Sequence, residues 1–204
     1  MLIDDVMPVY DVSDTVAAVV DADPAVCWAA LMAVDLIDVG RKRPLVATLG
    51  ALRMLPEIVT RLLRGELPPR QPTHLLLRDL ATLPPDRGGW LLIGERDREE
   101  IAFGLIGQFW RPVIEYAHVS TLAEFRAFDR PGFAKTVYAL SVQGIAHGRS
   151  LVSGVMRTGT TDAHARRWFR RYWTLGVGSG AHLLVHGLLD VTREMAEHAE
   201  IPQA

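Results

Sequence analysis

A chain of 204 residues with 49% hydrophobic and 23% charged side chains has the balance of a soluble globular domain, long enough to bury a sizeable core. A formal net charge of -2 excludes a general attraction to nucleic acid, and no apolar run reaches the roughly 18 residues of a transmembrane segment. Cys27 is the only cysteine, which excludes a disulfide framework and a thiolate-rich metal site. The acidic start Met1-Leu2-Ile3-Asp4-Asp5 is unlike a secretory signal, so a reducing cytoplasm is the expected setting. No internal repeat divides the chain, and a single domain spanning 1–204 is expected. The charge is uneven: residues 1–40 hold eight Asp and no Lys or Arg, whereas 41–70 hold seven Lys and Arg against Glu57 and Glu66. Such an asymmetry can pair two segments or define a basic outer face.

In chain order, Val12, Val16, Ala18 and Val20 alternate with Ser13, Thr15 and Asp21, the period of a half-buried strand over 12–22. Asp23-Pro24 ends it and starts a helix over Ala25–Val34, with Asp23 at the cap and Pro24 where a missing N–H costs nothing. The stretch Asp23-Pro24-Ala25-Val26-Cys27-Trp28-Ala29-Ala30-Leu31 resembles the opening of the START-related, pollen-allergen-like helix-grip superfamily, known as SRPBCC or polyketide cyclase/lipid transport. There a strand runs into a short helix carrying Pro, two residues, Val and Trp. Residues 36–85 depart from that plan. Leu45, Leu49, Leu52, Leu55, Val59, Leu62 and Leu63 recur at helical spacing among arginines, and Pro56 should bend or split that helix. Leu67-Pro68-Pro69-Arg70-Gln71-Pro72 reads as a stiff connector, and Thr73–Leu83 as another short helix. This inserted helical segment can serve as a lid or as a packing layer.

Trp90–Gly94 and residues 100–109 read as strands joined by a tight turn at Asp97-Arg98. Ile101, Phe103, Leu105 and Phe109 share one face, while Gly104 and Gly107 leave room for a bend or a hollow. Phe125–Phe128 reads as a short strand or turn. Ala134–Ala146 and Arg149–Thr160 form a long hairpin around His147-Gly148, with Tyr138, Leu140 and Val142 on one face. Thr160-Thr161-Asp162 then caps a long C-terminal helix, Asp162–Glu200. Trp168, Tyr172 and Leu175, like Phe169 and Trp173, recur at helical spacing, and aromatics of this size are costly to leave wet, so a broad surface should cover them. The runs Gly107-Gln108-Phe109-Trp110-Arg111-Pro112, Phe125-x-x-Phe128-Asp129-x-Pro131-Gly132-Phe133-Ala134-Lys135 and Arg167-x-Phe169-Arg170-Arg171-Tyr172-Trp173 look like marks of an actinobacterial subgroup of the same superfamily.

Several constellations carry a chemical reading beside a plainer one. Gly176-Val177-Gly178-Ser179-Gly180-Ala181 fits the letters of a dinucleotide fingerprint, but a phosphate cradle needs a strand before it and here the preceding period is helical. Kinking the helix is the better role for these glycines. His182 and His186 stand four apart on one face, suited to a metal, yet Leu183 replaces the glutamate of a zincin, and nothing in the sequence brings a third ligand, His118 or His147, near them. No metal or cofactor is therefore expected. Cys27 reads as a small buried hydrophobe. Glu115, Tyr116 and His118 could furnish acid–base chemistry at a cavity mouth or simply be solvated. Arg166, Arg167, Arg170 and Arg171 could bind phosphate or, more simply, form a solvated helix face.

The expected architecture is an α+β helix-grip fold, a curved antiparallel sheet of about six strands wrapped on a long C-terminal helix, with the insertion at 36–85. The resemblance implies non-enzymatic binding of a small hydrophobic molecule (lipid, polyketide or isoprenoid-like) between sheet and helix. Phe103, Leu105 and Met156 are the expected apolar lining, and Gln108, Tyr138, His182 and His186 the polar anchors. Two alternatives stay open: a cyclase, dehydratase or hydrolase using an acid–base pair near the cavity, and docking to a membrane or protein through the basic segment 41–64. Self-association into a homodimer is also left open.

Overall fold

Period-two alternation draws Val12–Val20 into strand β1, with Val16 and Val20 buried on the face where helices will pack. The computed structural model describes residues 1–42, 73–84 and 88–199, together with scattered positions between 48 and 65. The basic helical segment expected over 41–64 and the proline connector 67–72 lie mostly outside the described residues; of the expected insertion at 36–85, residues 36–42 and 73–84 are described.

β1 joins β2 (Leu91–Arg96), β3 (Glu100–Gly107), β4 (Ala134–Ile145) and β5 (Arg149–Thr160) in one antiparallel sheet of order β1-β5-β4-β3-β2. Among the described residues the sheet has five strands where about six were expected. The discrepancy lies at 125–128, read as a short strand or turn, where Phe125–Ala127 are the end of a helix (Leu122–Ala127) and Phe128 is the extended residue after it. Thr121 caps that helix by accepting the Glu124 N–H at 3.1 Å, a local bond that fixes its first turn.

Before the sheet closes, α1 (Leu2–Val6) precedes β1, and α2 (Pro24–Ala33) and α3 (Leu36–Lys42) follow it. Asp23 stands at the start of α2, but its carboxylate takes none of the first-turn N–H groups, contrary to the capping role expected of it. Pro24 alone marks that start. The expected helix over Thr73–Leu83 is a 3₁₀ turn, Leu77–Thr82, whose first turn Asp79 secures by accepting the Leu76 N–H at 2.9 Å. The helix at Leu122–Ala127 is α4, followed after β5 by α5 (Ala163–Tyr172) and α6 (Gly178–Glu197).

The long C-terminal helix is interrupted at the glycine run that was expected to kink it. Between α5 and α6, Trp173–Val177 form a π-helical turn, and Gly176 adopts φ 108°, a conformation L side chains rarely take. Both Asp162 and Thr161 secure the entrance. Asp162 accepts the Ala165 N–H at 2.8 Å and also the Gly132 N–H, and Thr161 accepts the Phe133 N–H at 3.0 Å. The start of α5 is thereby tied to the start of β4.

The helices α2 and α6 pack on one face of the sheet. Cys27, Trp28 and Leu31 from α2 and Val185, Leu188 and Leu189 from α6 join Val20, Ile101, Phe103, Leu140 and Val152 in the main core. Gly154 allows the close approach, since a Cβ there would lie 2.5 Å from Val185. The opposite face has its own core, where Ile3 and Met7 meet Ile106, Phe125, Phe133, Val137 and Val155. The acidic N-terminal residues pair across the fold: Arg157 reaches Asp4 at 2.7 Å and Arg166 reaches Asp11 at 2.6 Å. An antiparallel sheet with a C-terminal helix laid along one face is the helix-grip architecture.

Candidate functional site

Where α6 leaves the π turn it no longer closes on the sheet. Val177 and Ala181, one helical turn apart, are short side chains, and a cavity of about 180 Å³ remains between them and the strands. Its floor is Leu105 on β3, Thr136 and Tyr138 on β4, and Met156 and Thr158 on β5. Its roof is Phe169, Tyr172 and Trp173, with Trp90, Phe109 and Tyr116 at the sides. The roof is a connected aromatic group: Phe169 stacks on Trp173 with centroids 5.9 Å apart and meets Tyr172 at 6.2 Å. Trp90 meets Tyr138 edge-on at 5.6 Å.

The floor carries oxygen in an otherwise apolar chamber. The Thr136 and Thr158 hydroxyls bond each other at 2.9 Å across paired strands. Burial drives the Tyr138 phenol well above its ordinary range, and the neighbouring charge of Asp14 adds to the effect, so this phenol stays neutral. Among the described residues, none that lines the chamber is Asp, Glu, His, Cys or Lys.

The expected site residues separate into three groups. Leu105, Tyr138 and Met156 line the cavity together. Phe103 is one row away and buried in the main core, and Gln108 is buried at the end of β3 without lining the chamber. Among the described residues the buried Gln108 Oε1 has no hydrogen-bond partner. His182 and His186 leave the cavity altogether. His182 Nδ1 sits 3.0 Å from both carboxylate oxygens of Asp14, and His186 Nδ1 lies 3.1 Å from Asp190 on an exposed helix face. They share a helical face only approximately, and each has its own carboxylate. Among the described residues no three His, Cys, Asp or Glu side chains converge as metal ligands.

Other expectations are sorted the same way. Trp168 and Leu175 are 44% and 85% exposed, not covered, because Phe169, Tyr172 and Trp173 already occupy the inward side. The Arg171 guanidinium lies 5.5 Å over the Trp168 ring instead. Room left by Gly104 does not create the hollow, since Ile93 and Phe125 fill it from the opposite face. Of Glu115, Tyr116 and His118, only Tyr116 reaches the cavity; Glu115 bridges Arg111 and Arg130 at 3.1 and 3.0 Å. The glycine run at 176–180 follows a helix, which is not the strand-to-helix setting of a phosphate cradle. Cys27 is buried with its Sγ toward the Ala22 carbonyl, and burial pushes its thiol up, as suits an inert core residue.

Sequence reasoning passed over Thr136, Thr158, Val177 and Ala181 as site residues. The threonines were readable in principle, because Thr136 shares its strand face with Tyr138, and Thr158 with Met156. Val177 and Ala181 were not readable, since their placement depends on the helix break.

Among the described residues two further hollows, like the chamber, are partly open to solvent. One of about 450 Å³ lies at the far end of the β3–β4 pair and is lined by Arg96, Glu99 and Glu100, with Arg96 and Glu100 ion-paired at 3.7 Å. The other, a groove of about 550 Å³, adjoins the cavity and holds Ser13, Asp14, Thr174, Ser179 and His182, with Trp173 as a shared wall.

No protein-family model matches the chain, and no curated protein matches it. Among solved structures it is similar to CalU16 from Micromonospora echinospora at 9% sequence identity and a TM-score of 0.30, over 91% of this chain and 83% of that one. The likeness is weak and carries no argument about function.

Proposed function

We propose that the protein binds one small, mostly apolar molecule in the chamber between the sheet and the helix break, without converting it. The carrying observation is a cavity of about 180 Å³ roofed by Phe169, Tyr172 and Trp173 over a floor of Leu105, Tyr138 and Met156. Its size narrows the ligand. An apolar cavity of roughly 150 Å³ accepts benzene, whereas drug-sized ligands occupy about 300–1,000 Å³. A single ring or a short branched chain fits; a two-tailed lipid does not. The START-related reading of the sequence belongs to this proposal. The Asp23-to-Leu31 motif, the long hairpin and the gripped helix are the features that a binding protein of that superfamily would combine.

Acid–base catalysis in the chamber is the weaker reading, because it needs two groups that exchange protons near neutrality. The lining offers phenols, hydroxyls and indoles, and the Tyr138 phenol is held neutral. The test is native mass spectrometry of freshly purified protein, followed by solvent extraction and titration with one-ring hydrocarbons read by tryptophan fluorescence. Binding that quenches Trp90 and Trp173 in wild type and is abolished in Ala181→Phe supports the proposal. Binding unaffected by Ala181→Phe sinks it.

A further inference from the structure

The chamber and the neighbouring groove share one lining side chain. Trp173 lines both, and its indole rests against Gly178, where a Cβ would lie 2.6 Å from the ring. The first turns of α6 serve both hollows: Val177 and Ala181 face the chamber, while Ser179 and His182 line the groove. On the sheet the two are joined by a single cross-strand row, since Asp14 pairs with Met156 and Met156 with Tyr138. Adjacent strands lie about 4.8 Å apart, so Asp14 stands roughly 10 Å from the chamber's Tyr138 along that row. The influence of the Asp14 charge on the Tyr138 phenol reflects the same proximity.

We infer, building on the binding role proposed above, that groove and chamber are two halves of one site for a hydroxyl-bearing amphiphile. The apolar ring or chain would occupy the chamber past Trp173, and a hydroxyl about 10 Å along would bond His182. The imidazole is prepared for that task. Its Nδ1 lies 3.0 Å from both Asp14 oxygens, which as a carboxylate only accept, so Nδ1 carries a proton and the neutral ring presents its lone pair at Nε2. That lone pair accepts an alcohol or phenol O–H. Ser13, Thr174 and Ser179 line the same groove, with the Ser13 and Thr174 hydroxyls donating to the Met156 and Arg170 carbonyls. The pair is half in solvent, with His182 at 45% side-chain exposure, which suits a contact made at a mouth.

The experiment uses a matched pair of probes, 4-propylphenol and propylbenzene, titrated calorimetrically into wild type, His182→Ala and Asp14→Asn. Wild type should bind the phenol about tenfold more tightly, the worth of one good hydrogen bond. His182→Ala should bring the ratio close to one and leave propylbenzene affinity unchanged, with circular dichroism confirming the fold. Asp14→Asn should reduce the ratio through the freed imidazole, and serves alone if His182→Ala does not fold. Equal affinities in wild type, or a ratio that survives His182→Ala, would overturn this inference and leave the chamber reading intact. Binding of neither probe would remove both.

Discussion

The two faces of the sheet are built from the same strands and end differently. On the outer face Ala102, Gly104 and Ile106 are covered by Ile93, Phe125 and Phe133, and the space above Gly104 is so full that a Cβ would lie 2.8 Å from both Ile93 and Phe125. On the inner face Phe103 is equally buried, but one row further along Leu105, Thr136 and Thr158 meet a chamber. Large side chains on a short helix seal one surface; short side chains at a helix break leave the other hollow. A protein that only had to fold would gain by closing both. The inner face thus carries a shape that packing alone does not require.

The largest expected effect tests the sealed face. Phe125→Ala should cost about 3–5 kcal/mol in urea unfolding and leave one-ring ligand affinity unchanged in any fraction still folded. A loss of under about 1 kcal/mol would mean that the outer core relaxes freely. Next, the floor of the chamber can be probed through its hydroxyl pair. Thr136→Val should cost about 1–2 kcal/mol because Thr158 loses its partner, whereas Thr136→Val with Thr158→Val should cost less than the sum of the singles. Additive costs would show that the two hydroxyls do not rely on each other. Filling the hollow should have the opposite sign. Ala181→Leu buries new apolar groups at about 0.8 kcal/mol per methylene, so it should raise the unfolding midpoint while abolishing ligand binding. A lowered midpoint would mean that the chamber has no room for three carbons.

The smallest effect concerns acid. N–H groups of Ala165 and Gly132 hold the Asp162 carboxyl below its usual range, with burial opposing them more weakly. A folded pKa below the unfolded value contributes stability that is present above the unfolded value and is lost as pH falls through the folded one. Thermal melts of wild type and Asp162→Asn should therefore differ slightly at pH 7 and converge below the ordinary carboxylate range. Curves that stay parallel to the lowest pH would show that the charge contributes nothing to the α5 entrance.

By itself the amino-acid order determined the strands, the long β4–β5 hairpin, the position of α2 and the cap at Asp162. Each follows from local periods, turns and short-range hydrogen bonds, so these segments carry their own instructions. Leu105, Tyr138 and Met156, three of the seven expected site residues, line the chamber together, because period two sets the face within each strand and strand pairing aligns the three strands. Period 3.6 gave no such certainty for 162–200. Once Gly176 takes a positive φ, the helix axis restarts, and only the assembled fold decides that Val177 and Ala181 look inward while His182 turns to Asp14. A helical register survives only as far as its hydrogen-bond ladder runs unbroken, and what lies past the break is set by contacts from strands more than a hundred residues away in sequence.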